Sequence, residues 1–574
     1  MGGWFGARRC CPLRPPSRRR MMRLKTTGML VIGLVSVALM PLYAQDQGGS
    51  LTADKLFDPA HLVEVRIKIA EADWDVLTSQ GRTFVEALGK TPMERPFTYF
   101  KASAVIDGVA FEGVRVRKKG FIGSLDEERP SLKIRFAKDA PISGVDRLTL
   151  NNNKQDRSLL SQYLGYKLFN QVGIISPRCN LAKVTVNGQY LGIYSHVESV
   201  RAPFLQRSFG DSSGDLFEGT VADLFVDRLE RFELKTKTTD LKTLKRVATI
   251  LKKKRLDVRA LDRVLDVDAF IRYWAMESLT GFWDGYANNQ NNYFMYRDPK
   301  KARFYFIPWG LDDAFTNSFP IPPYRLKIKS VHGSGLLPIR LYANSKMRER
   351  YLQTLVGLLR DHWKEEAILA DMDRMEKLLE GSIPREQGDF PKALAKVRRF
   401  VQRRRAVMER ELDKWPLEVR TEPKIPVYFK TLGTAVGTFS TKWNDKAPSD
   451  PFSNGKAELK LILDGKEVQL KVVGVSAERS TMGEERPRPP AIVFSGKRRS
   501  GGKRVTVAFG LSIGRFRPTD GETVKVEGVM FEGFAFDAMQ WMTGEASFEK
   551  ASMKNGDPVV GRVSLAIVKM VGGE

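Results

Sequence analysis

The spacing of apolar residues changes twice along this chain, and those changes constrain the fold more than any other feature. Residues 62–70, LVEVRIKIA, alternate apolar and polar as a half-buried strand does. The same pattern predicts strands at 102–107, 113–118 and 131–137, with Asp107-Gly108 as a hairpin turn. LTLNNN (148–153) runs from a strand into a polar turn. In LLSQYLGYKLFNQVG the apolar residues recur at three and four, with Asp156 or Ser158 to cap and Gly173 to stop, which predicts a helix. LAKVTV, Asn187-Gly188 and YLGIYSHVE read as a second hairpin with a type I′ turn.

From Asp240 the pattern turns helical, at 240–254, 257–264 and 267–281. Strands follow at 293–297 and 303–308, then two or three long helices across 335–415, broken at Pro384. WPLEVRTEPKIP (415–426) reads as a linker, and 416–426 is taken as its span. Beyond it lie short strands at 428–430, 457–463, 467–474, 503–512, 523–530 and 560–569, separated by Gly, Asp and Asn turns. Strands, then a helix, then strands predict an α+β body, followed over 427–574 by a small all-β domain of sandwich or jelly-roll type.

Charge is spread unevenly. The formal net charge is +27, and residues 1–44 hold eight Arg or Lys and no acid. That stretch has the anatomy of a secretory signal: a basic region, an apolar run from Gly28 to Met40, and Leu-Tyr-Ala ending at Ala44. Met21 or Met22 would serve as an alternative start, and a retained signal anchor is the other reading. The apolar run is short for a membrane span, and no transmembrane span is expected after cleavage. Of the three cysteines only Cys179 lies beyond the signal, so no disulfide is expected within the mature chain. The four histidines and the cysteines do not cluster, which argues against zinc. The positive charge suits nucleotide phosphates, lipid headgroups or an anionic cell-surface polymer, or else marks solvated helix faces at 235–255 and 398–410. No nucleic-acid motif is present, and nucleic acid is not expected as a partner.

One stretch asks for chemistry. GFWDGYANNQNNYFMYRD (281–298) puts Asp284 among apolar and aromatic residues, then crowds four asparagines before a strand. Asn289 and Asn292 follow Asp284 by five and eight residues, and the strand pair then returns the chain to Asp312 in PWGLDDAF. Two acids and an amide carbonyl are hard oxygen ligands suited to Mg2+ or Mn2+, and protein kinases use an Asp, Asn and Asp in this way. Spacing alone leaves a second reading open, in which Asp284 caps a turn and the asparagines satisfy loop backbone. VRKKGFIGS (116–124) sets Arg117, Lys118 and Lys119 before a loop with Gly120 and Gly123, and Lys133 follows from the strand SLKIRF. In an alternating strand Lys133 and Arg135 share the face opposite Leu132 and Ile134, as phosphate contacts or as a solvated face. Glu198, at the end of YLGIYSHVE, is a candidate partner for that lysine.

With these residues in hand, the chain resembles the spore-coat protein H (CotH) kinase-like family. The resemblance spans roughly 55–415 and rests on an ordered series: VRVRKKGFIGSL with PSLKIRF, DRLTLNNNKQDRSLLSQYLGYKLFNQVGI, SPRCNLAKVTVNGQYLGIYSHVE, FLQRSFGDSSGDLFEG, WDGYANNQNNYFMYRD and FYFIPWGLDDAF. It implies an atypical protein-kinase-like fold over 45–415, N-lobe-like at about 55–235 and helical C-lobe-like at about 240–415. It also implies ATP and Mg2+ or Mn2+ as cofactors and an exported protein with a Ser/Thr acceptor as substrate. Asp284 then matches the catalytic aspartate and Asp312 the metal-binding one. Asn292 or Asn289 is the amide ligand, with Asn292 favoured by strand register. Lys133 becomes the phosphate lysine, Glu198 its acidic partner, and Arg117 and Lys119 further phosphate contacts. KKGFIGS in the phosphate loop and Gly310 depart from the family pattern. The resemblance leaves three functions open: an extracytoplasmic Ser/Thr kinase, a non-catalytic surface scaffold, and transfer of another group such as AMP.

Overall fold

The alternation in the first third of the chain produces strands whose apolar residues face inward, and these strands close into a ring. The computed structural model describes residues 51–93, 96–137, 142, 144–236, 240–316, 329–481, 488–500, 503–512, 519–532 and 539–572. The leader expected over 1–44 lies outside the described residues. The ring contains β1 (Val63–Ile69), β2 (Phe100–Ile106), β3 (Val109–Lys119), β4 (Ser131–Arg135), β5 (Arg147–Asn151), β6 (Cys179–Val186) and β7 (Gln189–Val197). Its neighbours run β1-β2-β3-β4-β5-β7-β6, and β6 returns to β1 as a parallel pair, Val63 opposite Ala182 and Ile67 opposite Val186. Val65, Ile67, Ile106, Val116, Leu132, Ile134, Leu150 and Val184 fill the interior and are almost fully buried. Asp107-Gly108 and Asn187-Gly188 turn the two hairpins with positive φ at both residues, as type I′ requires.

The helix Ser161–Gln171 leaves this barrel and packs into a second, larger core. There β8 (Leu216–Gly219), β9 (Glu233–Leu234), β10 (Tyr293–Asp298) and β11 (Arg303–Pro308) form a sheet in the order β11-β10-β8-β9. The helices Val267–Leu279, Ser345–Asp361, Glu365–Leu379 and Phe390–Leu412 belong to the same core. Arg404, 1% exposed, binds them by donating to the carbonyls of Ser278, Leu279 and Lys329. No helix among the described residues is long and apolar enough to cross a membrane.

The C-terminal strands are β12 (Tyr428–Asn444), β13 (Lys456–Leu463), β14 (Lys466–Val468), β15 (Val472–Arg479), β16 (Pro490–Ser500), β17 (Lys503–Ser512), β18 (Thr523–Glu532), β19 (Gln540–Lys550) and β20 (Pro558–Val571). They run β12-β20-β19-β18-β17-β16-β15-β13, and β13 pairs back onto β12, closing a ring of eight strands with β14 attached to its rim. At Gly433, Gly437, Gly528 and Gly544 a Cβ would collide with a carbonyl of a neighbouring strand, so only glycine permits these close approaches. Phe84, Phe429 and Trp541 pack edge-on or tilted against one another where this barrel meets the segment after β1, and Lys525 pairs with Glu86 at 2.7 Å.

The fold expectation is therefore corrected. In place of an α+β kinase-like body followed by a sandwich or jelly roll, the described strands form two closed barrels with a helical core and a small sheet between them in sequence. Alternation cannot distinguish an open sheet from a closed one, because each strand shows the same period in both. The closing pairs, β1 with β6 and β12 with β13, are set by packing rather than by local pattern. The reading of 428–430 as a short strand missed most of β12, whose glycines dilute its alternation.

Leu132→Ala should cost about 2–5 kcal/mol in equilibrium denaturation, because it opens a cavity inside the first barrel. Arg135→Ala, three residues on and on the outer face, should change stability by no more than about 0.5 kcal/mol.

Candidate functional site

Except for Lys118, the charged residues of β3, β4 and β5 point away from the apolar barrel interior, and their outer face forms one wall of a cavity of about 2090 Å³. Strand register sets Arg117 beside Lys133, Lys133 beside Thr149, and Lys119 beside Ser131. Like charges placed directly opposite one another on a sheet repel. Lys133 is held well below its ordinary pKa, first by burial and then by the positive charge of Arg117, Lys119, Arg201 and Arg147. Burial lowers Lys119 to about 8, partly offset by attraction to Asp312, and its ammonium donates to Asn151. Lys118 alternates inward and its ammonium donates a hydrogen bond to the Thr78 carbonyl at 2.5 Å, so it takes no part in this wall. The loop after β3 lines the cavity through Gly120, Phe121, Gly123 and Ser124, and the Ser124 hydroxyl accepts from the Phe121 N–H. The Gln155 amide packs directly over Gly123.

Asp284 stands on the cavity at the end of the turn that follows Val267–Leu279. Three amides surround its carboxylate: Asn289 donates at 2.6 Å, Asn292 at 2.7 Å, and Asn291 straddles both oxygens at 3.2 and 3.3 Å. Burial outweighs these donors and raises Asp284 to about 6. Asn292 occupies a left-handed conformation at φ +51, which Asn tolerates better than most residues. The carboxylate of Glu277 accepts the backbone N–H groups of Tyr286 and Ala287 at 2.8 and 2.7 Å, which anchors the start of the loop. A side chain at Gly285 would collide with that carboxylate. Asn288 donates to the Trp283 carbonyl, and Asn291 accepts from the Val221 N–H, so these two satisfy loop backbone as well.

The acidic loop reaches the same cavity from β11. Leu311 packs against Gly165 of the helix Ser161–Gln171, and Tyr166 accepts the Gly310 N–H at 2.9 Å. Gly310 is left-handed at φ +56, and a Cβ there would lie 2.8 Å from the Asn292 carbonyl oxygen. The glycine at 310 thus has a local cause, since Asn292 fills the space beside it. Asp312 rises to about 7, mainly through burial and then through repulsion by Asp284 and Asp156. Asp313, which accepts from Gln155 at 3.1 Å, rises to about 8 for the same kind of reason.

Of the sequence candidates, Asp284, Asn289, Asn292, Asp312, Lys133, Arg117 and Lys119 all line this cavity. Glu198 does not. It follows the end of β7 and is held by Arg178 at 3.0 Å and Arg207 at 2.6 Å, so the expected pairing with Lys133 is replaced. The acid that feels Lys133 is Glu218 of β8, itself paired with Lys235 at 2.5 Å. Asn289 is also committed, because its carbonyl oxygen accepts from the Lys424 ammonium at 2.8 Å. Asn292 is the amide whose oxygen faces the acidic loop. Glu218, Arg201, Asp313 and Lys424 were not singled out from sequence, where no spacing rule ties them to Asp284.

This chemistry fits a divalent cation bound together with phosphate. Among the described residues no three acidic or histidine side chains form a ready-made cage. Mg2+ commonly takes one or two carboxylates and completes its shell with water and phosphate oxygens. Asp312 and Asp284 repel one another, and Lys133 is crowded by Arg117, Lys119, Arg201 and Arg147, so a cation and an anion would each relieve one side.

A family model described as CotH kinase protein matches residues 116–413. Inner spore coat protein H of Bacillus subtilis is 25% identical over 287 residues, covering 46% of this chain and 76% of that protein. An inner spore coat protein H-like protein of the same organism is 33% identical over 88 residues, 15% of this chain and 28% of the relative. Invasin CotH2 of Rhizopus delemar is 27% identical over 107 residues, 17% of this chain and 18% of that protein. With more than half of its 574 residues matched by that model, the chain belongs to the CotH kinase protein family.

Proposed function

We propose that this protein transfers the γ-phosphoryl group of ATP to Ser or Thr hydroxyls of exported or surface proteins. One observation carries the reading: an acid–amide cluster and a crowded cationic strand face line the same cavity. Phosphoryl transfer asks for that combination, because its catalysis is mostly positioning and electrostatic stabilisation. Lys133, Lys119 and Arg117 would bind the phosphate oxygens, and the loop Gly120–Ser124 would lie over them. Asp312 and Asn292 would hold Mg2+ or Mn2+, which supplies charge neutralisation across the phosphates. Asp284 would orient the acceptor hydroxyl and take its proton as the new O–P bond forms and ADP departs. A pKa of about 6 lets Asp284 be ionised at neutral pH while still accepting a proton. The export part of this reading is supported by the signal-like pattern of residues 1–44 and by the spore-coat names of two relatives.

The test uses the chain without its leader, γ-labelled ATP, Mn2+ or Mg2+, and a Ser/Thr acceptor protein. Label should pass to the acceptor, and Asp284→Asn should lower the rate by about 100-fold or more, in line with loss of general base and positioning. Lys133→Met should chiefly raise KM for ATP. Nucleotide binding with no transfer would instead favour a non-catalytic scaffold, and label following the α-phosphate would indicate nucleotidyl transfer.

A second prediction concerns stability and pH. Asp312 titrates at about 7 in the folded chain against an ordinary 3.8, so the folded state binds more protons between those values. Its contribution to stability is then present at low pH and lost as pH rises through 7. Without divalent cation, Asp312→Asn should therefore raise the melting temperature at pH 8 and have much less effect at pH 5. Added Mn2+ should stabilise the unaltered chain at pH 8 more than the variant.

A further inference from the structure

Lys424 lies beyond the residues matched by the family model, on the extended segment between the helix Phe390–Leu412 and β12. Its backbone is fixed by two contacts: its N–H donates to the Ser334 carbonyl at 2.8 Å, and its carbonyl accepts from the Gln290 side chain. Those contacts anchor the segment without help from the side chain. The ammonium reaches further, to the Asn289 carbonyl oxygen at 2.8 Å, and the Asn289 amide nitrogen donates to Asp284 at 2.6 Å. An ammonium has protons to give and no lone pair to offer. It therefore fixes which end of the Asn289 amide faces Asp284. Turned the other way, the amide would set an oxygen against a carboxylate and remove one of the three donors around it.

We propose that Lys424 is a positioning residue for the phosphoryl transfer described above, acting through Asn289 to hold Asp284 against the attacking hydroxyl. The inference rests on that reading of the cavity. The site is then completed by a residue from outside the family-matched span, and the segment leading to the C-terminal barrel forms part of the reaction centre. Other residues of the same region reach the cavity as well: Glu418, Val419 and Arg420 of the segment, and Trp541 and Met570 of the barrel. The two lysines also divide the carboxylates. Lys424 is the cation felt by Asp284, and Lys119 is the cation felt by Asp312. Removing Lys424 should disturb Asp284 while leaving the phosphate wall intact.

The experiment compares the chain with Lys424→Met, Lys424→Arg, Asn289→Ala and the Lys424→Met/Asn289→Ala double variant, each carrying the C-terminal barrel. Misplacing a reacting group by about 1 Å costs on the order of 100-fold. Lys424→Met should lower kcat by about 10- to 100-fold with KM for ATP little changed, and Lys424→Arg should recover most of that loss. The double variant should be no slower than the slower single variant, since both substitutions break one relay. Multiplying losses, or a rise in KM with kcat intact, would overturn the proposal. A chain that transfers no phosphate at all would instead sink the functional reading. The relay then remains testable in protein labelled with 15N-asparagine, with Asn289→Ala giving the assignment. The Asn289 side-chain amide resonances should move in Lys424→Met, and unchanged resonances would overturn the relay. Melting temperatures of the variants separate loss of positioning from loss of fold.

Discussion

Closure of the first barrel is the constraint on which the rest of the molecule depends. Once β6 pairs back onto β1, the ring has an inside that only apolar side chains fill, and each charged residue of β3 and β4 is driven outward unless it finds a carbonyl. Lys118 is the exception, with the Thr78 carbonyl as its partner. Arg117, Lys119 and Lys133 therefore share one outer face in fixed register. A closed ring also has no free edge along which the strands could slip, so that register holds. The helix Ser161–Gln171, emerging between β5 and β6, carries the constraint onward by bracing Leu311 and Gly310 beneath the acidic loop.

The cavity stores electrostatic tension on both sides. Lys133 is pressed toward its neutral form by burial and by its cationic neighbours, and Asp312 and Asp313 toward theirs by burial and by other carboxylates. Neither arrangement favours folding by itself, and perturbed groups of this kind gather at functional sites. The tension survives because rigid elements over-determine it. Asp284 is ringed by amides, Asn292 is wedged against Gly310, and Glu277 pins the loop from below. These supports lie within one stretch, from Glu277 to Gly310, so the loop is held mainly by its own neighbours.

The asparagine-rich stretch shows how far sequence reasoning reaches into such a site. Its two readings, catalytic cluster and backbone support, were both open on spacing, and the structure divides the residues between them. Asn288 and Asn291 bond loop backbone, while Asn289, Asn291 and Asn292 donate to Asp284. The position of Asn292 directly before β10 made it legible, because strand register carries it to the sheet edge beside the acidic loop. Glu198 misled for a related reason. It lies just past the end of β7, where alternation no longer dictates direction, and two arginines capture it. Glu218 lies on a short strand of another sheet, and nothing local links it to Lys133.

Most of the elements, and the candidate residues of the site, are legible in short stretches of sequence. Period-two alternation marked the strands of the first barrel, Asp107-Gly108 and Asn187-Gly188 set its hairpins, and the ordered motifs placed Asp284, Asp312 and Lys133 in one family pattern. These are properties of short segments, fixed by backbone sterics and by the need to bury one face. Long-range packing sets the rest: both sets of strands close into rings, Glu218 rather than Glu198 faces the lysine wall, and Lys424 reaches the Asn289 amide. Each of those depends on contacts between residues far apart in the chain. Such contacts follow from which surfaces pack together, and no local period or spacing encodes that choice.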